Sequence, residues 1–286
     1  MRIVQFIPSS QRKLVFLAAQ TDSAAVLVIG SSGTGKSALA RWIHQNGPRA
    51  AGPLITLKKD ETLSSQLVLA HGGSLVIPEI GELSLTDQKN LLDSLKNKVV
   101  NIGTPESPVQ RIINARIIAT TSQSLEGRAQ GGLFNRELFL KLNVFRVEMP
   151  DLSDRPQEFR EITTELLDEI KSELHREYLK GISDEAFKKL EKYDWPGNLR
   201  ELRNVLRIAV ITCKTEQIEV SDLPDFGPGK IDFLATREEF EKIYLTELLN
   251  TFDWKIDKTA EATRIDQHSL KSKIERYGII REVPRL

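Results

Sequence analysis

The chain has 286 residues, of which 40 are Lys or Arg and 40 are Asp or Glu, so its formal net charge is zero. This balance excludes a globally basic nucleic-acid binder, and any basic surface must be local. Its single cysteine, Cys213, excludes an internal disulfide. The apolar runs are too short for a membrane helix, and the amino terminus lacks the apolar core of a secretion signal, so a cytoplasmic location is expected.

Five near-continuous apolar runs in the first half predict strands that are buried on both faces of a parallel sheet. The runs are Ala25 to Ile29, Leu54 to Leu57, Ser74 to Ile77, Arg116 to Thr121 and Val144 to Met149. Helical stretches such as KSALARWIHQN and SLTDQKNLLDSLKN separate several of them. The pattern therefore predicts an α/β fold with helices on both sides of the sheet.

A glycine-rich motif lies between the first predicted strand and the first of these helices. GSSGTGKS, from Gly30 to Ser37, matches G-x-x-x-x-G-K-[ST]. In such a loop the backbone N–H groups and the helix amino terminus attract phosphate, the lysine reaches the β- and γ-phosphates, and the serine hydroxyl holds Mg²⁺. The alternative is a glycine-rich turn that matches by chance. We expect ATP with Mg²⁺, held by Gly30, Ser31, Ser32, Gly33, Thr34, Gly35, Lys36, Ser37 and Ala38, with Ser37 as the metal ligand.

Beyond the fifth run the pattern becomes helical. No strand is expected from about Pro156 to Thr215, which predicts a small helical lid. Ser221 to Lys230 is rich in Pro, Gly and Asp, as is typical of a linker. Two more helical stretches follow, TREEFEKIYLTELLNTF and KTAEATRIDQHSLKSKIERYG.

Several segments together resemble one family, the AAA+ activators of sigma-54 RNA polymerase, or bacterial enhancer-binding proteins. The segments are GSSGTGKSALARWIH, HGGSLVIPEIGELSLTDQKNLLDSL, RIIATTSQSL, GLFNRELFLKLNVF and YDWPGNLRELRNVLRIAV. The resemblance extends through a carboxy-terminal Fis-type helix-turn-helix and so covers nearly the whole chain. It implies a bacterial P-loop AAA+ core, a helical lid, and ring-forming subunits with nucleotide between them.

The resemblance also marks departures at the implied catalytic positions. The family's third strand ends in Asp-Glu, whereas here Pro78 precedes Glu79. Glu79 is the implied base for the attacking water; otherwise it is a solvated loop acid. Ser122 stands where the family has an asparagine sensor, and Lys58 where an asparagine switches the glutamate. Arg200 matches the lid arginine that contacts the γ-phosphate, although an ordinary surface charge is the alternative.

Two further departures concern contacts between molecules. Where the family places trans-acting arginines, this chain has Asn135 and Lys141, with Arg136 displaced by one position, so Arg136 and Lys141 are the trans-acting candidates. Active members carry a long loop that contacts sigma-54 between the second and third strands; here only DETLSSQLVLA lies there. These changes predict nucleotide binding with at most weak ATPase activity, and no activation of sigma-54 polymerase by the usual loop.

The carboxy-terminal stretch predicts two short helices with a break at Arg264 to Asp266, as a major-groove reader requires. Lys255 to Leu286 holds eight Lys or Arg against five Asp or Glu, which concentrates attraction for DNA phosphates there. The alternative is a dimerisation tail with a solvated basic face. The preceding helix, Arg237 to Phe252, is expected to supply a dimer surface. Expected base contacts are Gln267, His268, Ser269, Lys271 and Ser272, and expected phosphate contacts are Lys273 and Arg276.

The predicted division is an AAA+ core at 1–152, a helical lid at 153–223, a linker at 224–232 and a helix-turn-helix domain at 233–286. No signal-input domain is expected before the phosphate loop. Expected partners are double-stranded DNA with an inverted repeat, further copies of the chain in a dimer or higher ring, and a regulatory protein or RNA polymerase; no membrane is expected. One function is a DNA-binding regulator whose nucleotide controls assembly. The alternatives are a working ATPase that remodels a protein partner or activates sigma-54 polymerase through another surface, and an inactive form that antagonises a relative by mixed assembly.

Overall fold

The computed structural model describes residues 6–58, 60–104, 107–224, 226, 241–242, 244–246, 248–263 and 265–281. Five strands form a parallel sheet: β1 Val26–Ile29, β2 Leu54–Thr56, β3 Ser74–Ile77, β6 Arg116–Thr121 and β7 Phe145–Glu148. Their order is β2-β3-β6-β1-β7. Each strand lies within one of the five predicted runs, which confirms the predicted parallel sheet.

The interior strand β1 explains why these runs are apolar on both faces. It pairs with β6 on one side and β7 on the other, so that Val26 is opposite Ile118 and Phe145. Leu27 packs into the hydrophobic cluster on one face of the sheet, and Val28 into the cluster on the other. Since neither face meets water, alternation of polar and apolar residues is not needed.

Helices cover both faces of the sheet, as predicted. Helices α1 Arg12–Gln20 and α2 Lys36–Gln45 pack on the face that contains Val28. The face of Leu27 is covered by α3 Leu63–Leu69, α4 Leu85–Asn97, α5 Leu125–Gln130 and α6 Arg136–Leu142. Each fully buried Leu or Ile in these two clusters stabilises the fold by about 1.5–3 kcal/mol.

A β-hairpin between α4 and β6 is absent from the sequence-based prediction. Its strands, β4 Val99–Thr104 and β5 Ser107–Ile112, pair antiparallel, with Thr104 opposite Ser107. The segment contains Gly103 and Pro108, which weaken a strand pattern and are typical of loops. Because pairing supplies what local propensity does not, the hairpin is visible only in the structure.

The chain divides into two compact units, Met1–Ile162 with Asp194–Glu201, and Thr163–Tyr193 with Leu202–Leu286. Helices α7 Phe159–Glu173 and α9 Asn198–Thr212 contribute residues to both units, whereas α8 Asp184–Glu191 belongs to the second. The expectation of no strand between Pro156 and Thr215 was wrong in one detail. A two-residue strand β8, Gly181–Ile182, pairs with β9, Gln217–Ile218, and is too short to leave a sequence signal.

The described carboxy-terminal residues form helices, with two of them at the predicted places. Helix α10 is Ile256–Thr263 and α11 is Gln267–Arg276, preceded by helical residues at 241–242, 244–246 and 248–251. Leu249, Ala260 and Leu270 form their shared core. Most of the predicted linker, residue 225 and residues 227–232, and the start of the predicted dimer helix, residues 237–240, lie outside the described residues.

Three short 3₁₀ turns, Ile80–Glu82, Leu152–Asp154 and Val220–Asp222, complete the described elements. None of the helices described is both long enough and apolar enough to cross a membrane.

Candidate functional site

The glycine-rich loop joins β1 to α2, in the strand and helix context that the motif requires. Gly33 and Gly35 have φ angles of 84° and 96°, in the left-handed region that favours glycine. A side chain at Gly33 would also lie 2.1 Å from the carbonyl oxygen of Gly197. Thr34 Oγ1 donates to the carbonyl of Ser31 at 2.9 Å and closes the loop. The backbone is therefore shaped as an anion cradle at the amino terminus of α2.

Lys36 places its ammonium group inside this loop. The side chain is buried, and Nζ donates to the carbonyl oxygens of Gly30 at 2.6 Å and Ser31 at 2.9 Å. Burial lowers the pKa of Lys36, whereas the nearby Glu79 carboxylate opposes that effect. A partly desolvated ammonium at this position is suited to bind phosphate oxygens.

Glu79 follows β3 and turns toward the loop through a left-handed backbone with φ 42° and ψ 54°. Its Oε2 accepts hydrogen bonds from the backbone N–H of Ser122 at 2.7 Å and from Ser122 Oγ at 2.8 Å. Its Oε1 lies 3.5 Å from Lys36 Nζ. The structure thus brings three predicted site positions together, and both carboxylate oxygens already have partners within the chain.

A Mg²⁺ site was predicted at Ser37, in the first turn of α2. Pro78 directly follows β3 and carries no carboxylate, and Glu79 is engaged as described. Among the described residues, no group of three or more His, Cys, Asp or Glu side chains could hold a metal ion. Mg²⁺ in nucleotide sites usually takes one or two carboxylates besides the phosphates. The end of β3 therefore offers no side-chain oxygen for Mg²⁺ at position 78, and Ser37 remains a predicted ligand.

The segment Trp195–Glu201 packs against the other side of the loop. Asn198 Nδ2 donates to the carbonyl of Ser32 at 3.1 Å, and Asn198 Oδ1 accepts from the N–H of Leu152 at 2.7 Å. The N–H of Arg200 donates to the carbonyl of Gly33 at 3.3 Å. The positive charge of Arg200 also contributes to the lowered pKa of Lys36. Asn198 is a site residue that the sequence reasoning missed, although it lies within the quoted WPGNLRE segment.

A cleft of about 380 Å³ opens beside the loop. Apolar and acidic side chains share its walls, which suits a flat ring with polar edges. No sequence pattern predicts this cleft, because its residues come from distant positions. It is lined by Ser10, Gln11, Ile29, Gly30, Ser31, Glu148, Met149, Pro150, Asp151 and Asp154.

The remaining catalytic candidates lie on other elements. Arg136 begins α6 and Lys141 lies in its last turn; both side chains are exposed. Asn135 caps α6, since its Oδ1 accepts from the N–H groups of Glu137 at 2.9 Å and Leu138 at 3.0 Å. The residue that replaces a family arginine therefore has a local structural role.

Helix α11 presents most of the predicted DNA contacts to solvent. Asp266 caps the helix by accepting from the N–H of Ser269 at 2.9 Å, and hydrogen bonds from Ser269 lower the Asp266 pKa. Lys273 instead lies 2.6 Å from Glu241, whose carboxylate also accepts from Tyr277; that hydrogen bond raises the Tyr277 pKa. Ser269 is half-buried, and the exposed members are Gln267, His268, Lys271, Ser272 and Arg276.

Comparison with known proteins follows the same division. The family model described as Sigma-54 interaction domain matches residues 9–152, and the one described as AAA+ ATPase lid domain matches residues 153–228. The alginate biosynthesis transcriptional regulatory protein AlgB of Pseudomonas syringae pv. tomato is 32% identical, covering 91% of this chain and 63% of AlgB. A limonene hydroxylase of Geobacillus stearothermophilus is 36% identical, covering 75% of this chain and 44% of that protein.

A solved structure, NtrX of Brucella abortus in complex with ATP, is similar with a TM-score of 0.64 and 28% identity. The match covers 94% of this chain and 67% of the NtrX chain. The chain spans less than two thirds of the length of the two curated relatives named above.

Proposed function

The chain belongs to the family defined by the sigma-54 interaction domain with an AAA+ lid, and we propose that it is a cytoplasmic, DNA-binding transcriptional regulator that binds ATP but hydrolyses it weakly at most. Relatives in the family are transcriptional regulatory proteins, and a structural neighbour binds ATP. The observation that carries the proposal is the end of β3, where Pro78 stands beside a Glu79 carboxylate held by Ser122 and Lys36.

ATP binding rests on the shape of the loop. The phosphates of ATP would lie among the loop N–H groups, Lys36 Nζ and the Arg200 guanidinium, and the adjoining cleft would accept the base.

The proposal of weak hydrolysis is based on the contacts of Glu79. Ser122 donates twice to Glu79 Oε2, and Oε1 faces the Lys36 ammonium at 3.5 Å, and both contacts lower the basicity of the carboxylate that would have to act as the general base. Nucleotide is proposed to control assembly of copies of the chain, with Arg136 and Lys141 as the candidate contacts across subunits.

The usual activation of sigma-54 polymerase is proposed to be lost. Between β2 and β3 the described residues form only the short helix α3, which Thr62 caps, and the short turns that join this helix to the two strands. We infer from the shortness of this stretch that it carries no surface loop of the kind that contacts sigma-54 in the family. A second candidate function, activation of sigma-54 polymerase through another surface, is favoured by the match to the sigma-54 interaction domain.

Steady-state turnover separates the two. With ATP and Mg²⁺, we expect the purified chain to release phosphate no faster than the Lys36→Ala variant, which serves as the blank. Turnover near one per second that Lys36→Ala abolishes would instead identify a motor, because about that rate is ordinary for an enzyme. An intact thermal transition in both proteins is the control for folding.

Sequence-specific DNA binding is proposed for the exposed face of α11, with two copies reading an inverted repeat. A duplex selected from a random library should bind less tightly as salt rises, linearly on a log–log scale. Lys271→Ala should lower the difference in binding free energy between the selected duplex and a scrambled duplex by about 1–3 kcal/mol. Arg276→Ala should weaken binding to both duplexes equally and reduce the slope of log affinity against log salt by about one.

The control for these variants is Lys13→Ala, which removes one exposed positive charge on α1. Lys273→Ala tests the predicted phosphate contact, but circular dichroism must accompany it because the Glu241 pair also holds the helices together. Equal binding of the unmodified chain to selected and scrambled duplexes would contradict specific recognition.

A further inference from the structure

Two carboxylates near the phosphate loop, those of Glu79 and Asp151, already have hydrogen-bond partners within the chain. Glu79 accepts from Ser122 and faces Lys36, and Asp151 Oδ1 accepts from Asn198 Nδ2 at 3.3 Å. Pro78, at the end of β3, has no side-chain oxygen. A carboxylate that left these partners for Mg²⁺ would lose charge-assisted hydrogen bonds. The remaining oxygen candidates among the described loop residues are the neutral hydroxyls of Ser31, Ser32 and Ser37, all of which are exposed.

Near the loop, positive charge comes from groups of the protein rather than from a bound Mg²⁺. Lys36 Nζ lies in the centre of the loop, and the amino terminus of α2 directs its N–H groups to the same place. Arg200 lies on the segment that packs against Gly33. Asn198 holds the segment of Arg200 to the carbonyl of Ser32, and Lys36 is held by the carbonyls of Gly30 and Ser31. A metal-free triphosphate, which is more negative than its magnesium complex, fits this arrangement.

From this arrangement we propose that the chain binds ATP and ADP through protein cations, with an affinity that is independent of Mg²⁺. The inference rests on the proposed ATP site and specifies its ligand as the nucleotide polyphosphate itself. It separates this site from P-loop sites in which a carboxylate at the end of the neighbouring strand holds the metal.

Titration calorimetry of the full chain tests the inference. ATP is titrated in EDTA and again with excess Mg²⁺, and ADP likewise. The expected dissociation constants agree within about threefold between the two buffers, which is less than 1 kcal/mol. Tightening by Mg²⁺ of about tenfold or more overturns the inference while leaving the ATP site in place. Absence of binding in both buffers overturns the ATP site and the inference together.

A matched pair of substitutions places the effect at the end of β3. Pro78→Asp supplies the missing carboxylate, so Mg²⁺ should tighten its ATP binding by about tenfold or more. Pro78→Ala relaxes the backbone without adding an oxygen and should stay independent of Mg²⁺. Dependence on Mg²⁺ in Pro78→Ala would show that the proline ring, rather than the missing carboxylate, sets the behaviour, and would overturn the argument.

A second measurement needs no variant. By linkage, equal affinity for ATP and its metal complex means that bound ATP and free ATP hold the metal equally well. Electron paramagnetic resonance of Mn²⁺ in the presence of ATP, with and without saturating protein, should give the same free-metal signal. Uptake of Mn²⁺ on adding protein, with an affinity about tenfold above that for free ATP, would contradict the inference.

Discussion

Replacing Lys36 by alanine is expected to weaken ATP binding by about a hundredfold, or nearly 3 kcal/mol. The ammonium is buried in the loop and donates to the carbonyls of Gly30 and Ser31. An ammonium that has already lost much of its water pays little more to meet a phosphate, so each charge-assisted hydrogen bond counts. Alanine removes that donor and leaves the loop with backbone N–H groups and Arg200.

Calorimetry measures the change, with Lys13→Ala as the matched control. Lys13 lies exposed on α1, so its removal changes net charge by the same amount without touching the loop. The control should bind ATP like the unmodified chain. Thermal melting adds an independent readout, because a ligand that binds the folded state raises the transition temperature by an amount that grows with the logarithm of its affinity. Retention of affinity within about threefold in Lys36→Ala would refute the assigned position of the phosphates.

The sheet could be predicted from the sequence because its signal is local. Val26–Ile29 is apolar at every position, Arg116–Thr121 contains three consecutive apolar residues, and such runs are typical of strands buried on both faces. The hairpin at 99–112 could not be predicted, since its glycine and prolines favour a loop and only cross-strand pairing overrides them. The strand at Gly181–Ile182 is too short for any periodicity to appear.

The same distinction applies to the candidate site. The phosphate loop is made by consecutive residues, so its spacing alone identifies Lys36 and Ser37. The hydrogen bonds from Ser122 to Glu79 join residues that are 43 positions apart in the sequence. The hydrogen bond from Asn198 to Ser32 joins residues that are 166 positions apart. Contacts of this kind depend on the completed fold. The sequence could suggest that Pro78 weakens hydrolysis, but not that Glu79 is held by other groups.

The other large effect is expected at the far side of the same unit, where Arg116→Ala should lower the free energy of unfolding by about 3–5 kcal/mol. The Arg116 side chain is almost completely buried at the start of β6, and its guanidinium donates to the carbonyls of Ala18, Ala19 and Ala24. Burial is the main cause of its lowered pKa, followed by Arg49 nearby, and Asp22 opposes both.

Alanine would remove the guanidinium donor from three carbonyls, of which that of Ala18 keeps the N–H of Thr21, and would leave a cavity in place of the guanidinium. Urea denaturation measures the loss. The control is Arg111→Ala, which deletes a guanidinium that is exposed to solvent on the hairpin. It should change the free energy of unfolding by less than about 0.5 kcal/mol. Arg116→Lys keeps one charge but cannot reach three carbonyls, so it should fall between the two.

The order of these three variants tests the mechanism. If the charge alone mattered, the lysine variant would match the unmodified chain; if volume alone mattered, Arg116→Met would do so. Satisfied carbonyls require a planar donor with several N–H groups, and only arginine has one. A loss below about 1 kcal/mol in Arg116→Ala would mean that water replaces the guanidinium, since a bridging water can satisfy the same carbonyls at little cost.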